Sequence, residues 1–183
     1  MIKINDAILL TFPRSGSTAL EKSLLAKCEV VLDKTHIVEE SKNKKIITVI
    51  RDPLESMTSF IAMTLHYFPD IENSDNWKRM FGDLSWTGIF NEIYDYLILN
   101  ANLVITYEGL MDNLTETTKL VSDFLNLKMV NPNAEITVGD DNPSAYYLST
   151  SKRSPIYDEA IKKANSLDLT SCYERYNKIK SNI

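Results

Sequence analysis

Residues 7–27 read AILLTFPRSGSTALEKSLLAK, and this stretch constrains the fold more than any other. Ala7 to Phe12 is a short apolar run of the kind that makes a buried strand. Pro13-Arg14-Ser15-Gly16-Ser17-Thr18 then turns sharply. From Thr18 onward the pattern is helical: Leu20 and Leu24 are four apart, Leu25 lies beside them, and no Gly or Pro interrupts before Lys27. A strand, a Ser/Gly-rich turn and a helix start aim several backbone N–H groups and the positive helix end at one point. An anionic oxygen cluster fits there, phosphate most commonly. Arg14 adds a permanent charge with a planar fork of donors. Ser15, Ser17 and Thr18 add hydroxyls.

The usual nucleotide triphosphate loop needs a second Gly followed by Lys. Here a single Gly stands in the turn and no Lys follows it, nor does an acidic strand end present itself for a magnesium ion. Phe12-Pro13-Arg14-Ser15-Gly16-Ser17-Thr18 instead resembles the 5′-phosphosulfate loop of sulfotransferases, which bind 3′-phosphoadenosine 5′-phosphosulfate (PAPS). The arginine variant is similar to that of tyrosylprotein sulfotransferases. The resemblance implies an α/β, P-loop-like, three-layer sandwich with a parallel sheet of about four to five strands. The plain alternative is an ordinary Ser/Gly turn capping a helix.

Later segments follow the family's order. Glu29 to Asp33 reads as a second strand ending in Lys34-Thr35-His36, and a charged loop, Glu39 to Lys45, follows. Ile46 to Ile50 (IITVI) is a third strand, dense in β-branched residues and apolar on both faces. Strands alternating with helices give a parallel sheet, whose sites lie at the carboxyl strand ends. Arg51-Asp52-Pro53-Leu54-Glu55 closes this strand: Asp52 is a good N-cap, Pro53 suits the first helical position, and Glu55 takes the capping-box place. The helix carries an apolar stripe of Leu54, Met57, Ile61, Leu65 and Phe68, with Ser56 and Ser59 on another face. Arg51 and Ser59, eight residues apart, resemble the 3′-phosphate site of sulfotransferases.

The second half is less specific. His66, Tyr67, Phe68, Trp77 and Phe81 sit among polar residues that read as a loop or short helices; Trp86, Ile89, Ile93 and Leu97 make a helical stripe. Leu103 to Thr106 is a fourth strand, followed by Tyr107-Glu108-Gly109. This resembles the family's Tyr-Glu-Asp segment near the adenine, with Gly109 in place of Asp, so Tyr107 is a candidate adenine neighbour. Asp112 to Leu127 reads as one amphipathic helix, 128–150 as irregular, Ser154 to Asn165 and Leu169 to Ile179 as two more helices. The family's basic, Gly-containing C-terminal loop is absent in its familiar form, because no Gly follows Gly139. Lys152 and Arg153 are the paired basic residues that stand nearest to its place.

Composition narrows the partners. A chain of 183 residues reads as one domain over 1–183. Net charge is −5 and the pI about 5.1, so a nucleic-acid partner is not expected and any anion site must be local. Cys28 and Cys172 have no metal-ligand spacing and read as free thiols of a reducing compartment. With no signal-peptide pattern and no membrane-length apolar run, the expectation is a cytoplasmic protein with no membrane partner.

By resemblance, Lys34-Thr35-His36 occupies the place of a Lys-Thr-His segment whose His is the catalytic base in many cytosolic sulfotransferases. The implied reaction moves a sulfuryl group from PAPS to a hydroxyl or amine and releases 3′-phosphoadenosine 5′-phosphate (PAP), with no metal. Arg14 and the loop N–H groups would stabilise the departing phosphate. His36 would take the acceptor's proton, Lys34 would stabilise the leaving group, and Glu39 and Glu40 are back-up bases. The acceptor, whether small molecule, carbohydrate or peptide, is not encoded in any portable motif. An atypical P-loop-type small-molecule or nucleotide kinase, and a non-catalytic PAP- or nucleotide-binding module, are the competing classes.

Overall fold

The computed structural model describes residues 1–67, 82, 84–136 and 155–183. In chain order the elements are β1 (Ile2–Leu10), α1 (Ser17–Cys28), β2 (Val30–Thr35), a 3-10 turn (Val38–Ser41), β3 (Lys45–Ile50) and α2 (Pro53–Tyr67). After these come α3 (Trp86–Asn100), β4 (Ala101–Thr106), α4 (Tyr107–Asp112), α5 (Leu114–Phe124), α6 (Pro155–Asn165) and α7 (Thr170–Lys180). The four strands form one parallel sheet in the order β2-β1-β3-β4.

The near-continuous apolar runs of β1 and β3 are explained by helices on both faces of this sheet. Ile8, Leu10, Ile46 and Ile50 face α2, α3, α6 and α7, where Met57, Phe60, Phe90, Tyr94 and Tyr176 complete a buried cluster. Ala7, Leu9, Ile47 and Val49 face the other way, onto Leu20 and Leu24 of α1, Leu110 of α4 and Val121 of α5. The result is the expected α/β three-layer sandwich with a parallel sheet. Phe12, just past β1, is fully buried between Phe60 and Phe90, with ring centroids 5.2 and 5.0 Å away. This fixes where the chain leaves the strand and enters the loop. No helix among the described residues is long and apolar enough to cross a membrane.

Three local readings change. First, β1 begins at Ile2 rather than Ala7, because the polar first half pairs along β2 (Ile2 with Val30, Ile4 with Leu32) while its side chains stay largely exposed. Second, the helix read over Asp112 to Leu127 runs from Leu114 to Phe124, and a separate short helix, Tyr107–Asp112, precedes it. Thr106 caps a helix that already starts at Tyr107, accepting from the Gly109 N–H at 3.1 Å. Asn113 leaves helical geometry (φ −148°) and caps the next helix, accepting from the Glu116 N–H at 3.1 Å. Third, the charged loop after His36 contains the 3-10 turn. The helix starting at Pro155 and the last helix match expectation. Cys28 and Cys172 are both free and buried.

Candidate active site

The loop between β1 and α1 gets its shape from two left-handed residues, Arg14 at φ 68° and Gly16 at φ 91°. Gly16 is required for a second reason: a Cβ there would stand 2.8 Å from Cδ2 of the Tyr107 ring. Gly16 is also the N-cap of α1, so no side chain caps that helix, and its first turn holds no acidic residue. The free N–H groups of the first turn and the positive end of the dipole are therefore left for a ligand. Ser15 is fully buried, and its Oγ has no hydrogen-bond partner among the described residues. An unpartnered donor inside such a loop fits an anionic oxygen.

The strand order reverses direction between β1 and β3: the chain goes from β1 outward to β2, then crosses back to β3 on the other side. Ligand crevices of open parallel sheets open at that point, beyond the carboxyl strand ends. Four residues predicted to bind the nucleotide meet there. The Arg14 Nε donates to Ser59 Oγ at 3.3 Å, across 45 positions of sequence. The Arg51 Nη1 donates to the Arg14 carbonyl at 3.2 Å. The Arg51 guanidinium lies over the Tyr107 ring, 4.2 Å from its centroid, and its Nε donates to Glu55 at 3.1 Å. Arg51 is held at this point because Asp52 caps α2, its Oδ1 accepting from the N–H groups of Leu54 (2.9 Å) and Glu55 (3.1 Å). The Tyr173 hydroxyl of α7 donates to the same oxygen at 3.3 Å.

On the other side of β1, the chain at Thr11 holds the end of β2. Its N–H donates to the Thr35 carbonyl at 3.3 Å, and its carbonyl accepts from His36 Nδ1 at 2.7 Å. A carbonyl only accepts, so Nδ1 carries the proton and the neutral ring keeps its lone pair on Nε2. Burial lowers the His36 pKa below the usual 6.5; the bond to Thr11 opposes this and the Lys34 charge adds to it. Lys34 is tied to α1: its Nζ donates to Glu21 at 2.8 Å and to Thr18 Oγ1 at 3.2 Å. Glu40 accepts from the Thr35 hydroxyl, and the exposed Glu39 pairs with Lys42.

The sulfotransferase-domain family matches residues 30–154, well over half of the chain. The chain belongs to the sulfotransferase family. A curated relative, sulfotransferase 6B1 of Danio rerio, is 27% identical over 120 residues, which is 61% of this chain. The chain spans about 40% of that relative's length. The family match starts beyond the β1–α1 loop, so the loop motif is a separate observation pointing the same way.

Within this sulfotransferase chain, the predicted loop residues Pro13, Arg14, Ser15, Gly16, Ser17 and Thr18 all lie between β1 and the first turn of α1. Arg51, Ser59 and Tyr107 surround Arg14 and Gly16. Lys34 and His36 stand at the end of β2, in contact with Thr18 and Thr11 respectively. Lys152 and Arg153 lie outside the described residues. The structure adds groups that sequence reasoning passed over: the Glu21 carboxylate, the Thr11 carbonyl and the Tyr173 hydroxyl; Glu55, read as a capping-box residue, has its carboxylate on Arg51 instead. The Arg51–Glu55 spacing of four on a helix is a legible signal for an ion pair. Tyr173 reaches Asp52 across 121 positions, and no local pattern announces that.

Proposed function

We propose that this chain transfers a sulfuryl group from PAPS to a hydroxyl or amine acceptor, releasing PAP. The observation that carries this reading is the junction of the two anion motifs at the sheet's reversal point. Arg51 donates to the carbonyl of Arg14, and Arg14 donates to Ser59. A loop for one phosphate and an Arg/Ser pair for another therefore lie side by side, as a nucleotide phosphorylated at both ends of its ribose requires. The uncapped α1 terminus and the buried, unpartnered Ser15 hydroxyl fit the 5′ side. Arg51, packed on the Tyr107 ring, fits the 3′ side, and this contact supports Tyr107 as a neighbour of the nucleotide.

The chain's own residues divide the chemistry. PAPS supplies the sulfuryl group to be moved. Arg14 and the loop N–H groups stabilise charge that grows on the departing phosphate. His36, neutral near pH 7 and with its free lone pair on Nε2, takes the acceptor proton. Lys34, beside Thr18 at the mouth of the loop, is placed to neutralise the leaving group or the sulfuryl oxygens.

Calorimetric titration with PAP and adenosine 5′-monophosphate tests the nucleotide assignment, and labelled PAPS with an acceptor panel tests transfer. PAP is expected to bind far more tightly than the monophosphate, with Arg51→Ala erasing most of the difference, because charge-assisted bonds to phosphate are the strong ones. Equal affinities in the unaltered protein would remove the 3′-phosphate site. PAP binding without transfer to any acceptor would favour a nucleotide-binding module.

A further inference from the structure

We infer that Glu55 is a built-in counter-ion of Arg51 that holds down the affinity of this site for a phosphate monoester dianion; the inference rests on the 3′-phosphate reading above. Arg51 is only 15% exposed and is held on three sides: Nε by Glu55 at 3.1 Å, Nη1 by the Arg14 carbonyl at 3.2 Å, and its face by Tyr107 at 4.2 Å. Nη2 has no protein acceptor among the described residues, which leaves that edge of the fork for a ligand oxygen. Two of the three restraints carry no charge. The third is a full negative charge one helical turn past Arg51, on a side chain 57% exposed.

A dianion bound to the free edge of Arg51 would lie within a few ångströms of the Glu55 carboxylate. The two anions repel, and the first turn of α2, where an anion gains most from the helix end, is already occupied by one. The same arrangement recurs across β1, where Glu21 of α1 holds Lys34 at 2.8 Å. Each half of the site thus carries a cation whose charge is partly offset from a neighbouring helix. For a transferase that must release a polyanionic product, such an offset favours turnover over retention.

Glu55→Gln separates charge from geometry, since the amide oxygen still accepts from Arg51 Nε while the charge is gone. The full chain and this variant are titrated calorimetrically with PAP and adenosine 5′-monophosphate at low and at near-physiological salt. Glu55→Gln is expected to bind PAP roughly 3–10-fold more tightly at low salt, with little change for the monophosphate, and the gain should shrink as salt screens the exposed carboxylate. A thermal melt matching the unaltered protein confirms that the fold is kept. If the unaltered protein binds PAP no better than the monophosphate, the 3′-phosphate reading fails and takes this inference with it. If it does discriminate but Glu55→Gln gains nothing, loses affinity, or gains equally for both nucleotides, the counter-ion role is wrong and the reading stands.

Discussion

The two flanks of β1 are built on different principles. On the β3 flank, Arg14, Arg51, Ser59 and Tyr107 form a single connected cluster, and the loop beside them offers main-chain donors that no protein side chain caps. Its uncapped main-chain donors fit a negatively charged ligand, while Arg51 is itself paired with Glu55. On the β2 flank the charged groups nearest His36 are engaged within the protein: Lys34 with Glu21, Glu39 with Lys42, Glu40 with the Thr35 hydroxyl. The group left with a reactive lone pair there is His36, whose tautomer is set by the Thr11 carbonyl. Holding a polyanion needs fixed charge, whereas taking a proton needs a group that titrates and is not neutralised by a neighbour. Under the proposed function the two tasks would sit on opposite sides of one strand, joined through the short segment Thr11 to Thr18.

The largest expected effect breaks the β2 flank alone. His36→Ala should lower turnover by roughly 10²–10⁴ while leaving PAP affinity nearly unchanged, measured by steady-state transfer and calorimetry on the same samples. The sign of the pH dependence follows from the lowered pKa. A base with a depressed pKa stays deprotonated to lower pH, so the acid limb of the rate profile should fall below 6.5. Burial of the neutral ring also links to stability. Between the depressed folded pKa and the ordinary unfolded value of about 6.5, the unfolded chain binds more protons, so stability falls as pH drops through that window. If His36→Ala stays active while Glu40→Gln or Glu39→Gln does not, the base is a carboxylate and the assignment of the two flanks must be redrawn.

Arg14 should come next, because it lies in the β3-flank cluster and, under the proposed function, beside the departing phosphate. Arg14→Ala should cost about 2–4 kcal/mol in transition-state stabilisation, with a smaller loss of PAP affinity. Arg14→Lys should retain part of the rate, since it keeps the charge but loses the fork that reaches Ser59. Single-turnover kinetics with labelled PAPS separates the two effects. Turnover unchanged in Arg14→Ala would leave the loop a binding device only.

How much of this was readable follows the same division. Residues joined within one element were legible: the strand-turn-helix at Phe12 to Thr18, the Asp52 cap, and the Arg51…Ser59 spacing on a single strand end and helix. The parallel sheet followed from apolar runs too continuous for one-sided burial. The breaks in the second half were harder, because Thr106 and Asn113 each had to be recognised as caps inside what looks like loop and helix. Their effect depends on a few hydrogen bonds that compete with helix continuation. Contacts between elements carried no local pattern. Arg14 with Ser59 and Tyr107 with Gly16 both arise only when four strands set their carboxyl ends side by side.

The smallest predicted effect is the one that most sharpens the comparison. Ser59 is 97% buried on α2, its hydroxyl accepts from Arg14 Nε at 3.3 Å, and by spacing it belongs with Arg51. It can serve the 3′-phosphate directly, or it can hold Arg14 in place for the transfer step. Ser59→Ala removes one hydrogen bond worth about 0.5–1.5 kcal/mol, or up to about 3 kcal/mol when the bond goes to a charged group. The expected outcome is a loss of PAP affinity near the lower end of that range, with the monophosphate less affected and turnover at saturation nearly unchanged. The hydroxyl has room to do this because it can rotate its own proton toward a phosphate oxygen while a lone pair continues to accept from Arg14. A serine acting only through Arg14 would give the opposite split, a lower turnover at unchanged PAP affinity. That result would extend the catalytic side of the molecule across β1 into α2 and reduce the holding flank to Arg51 and the loop.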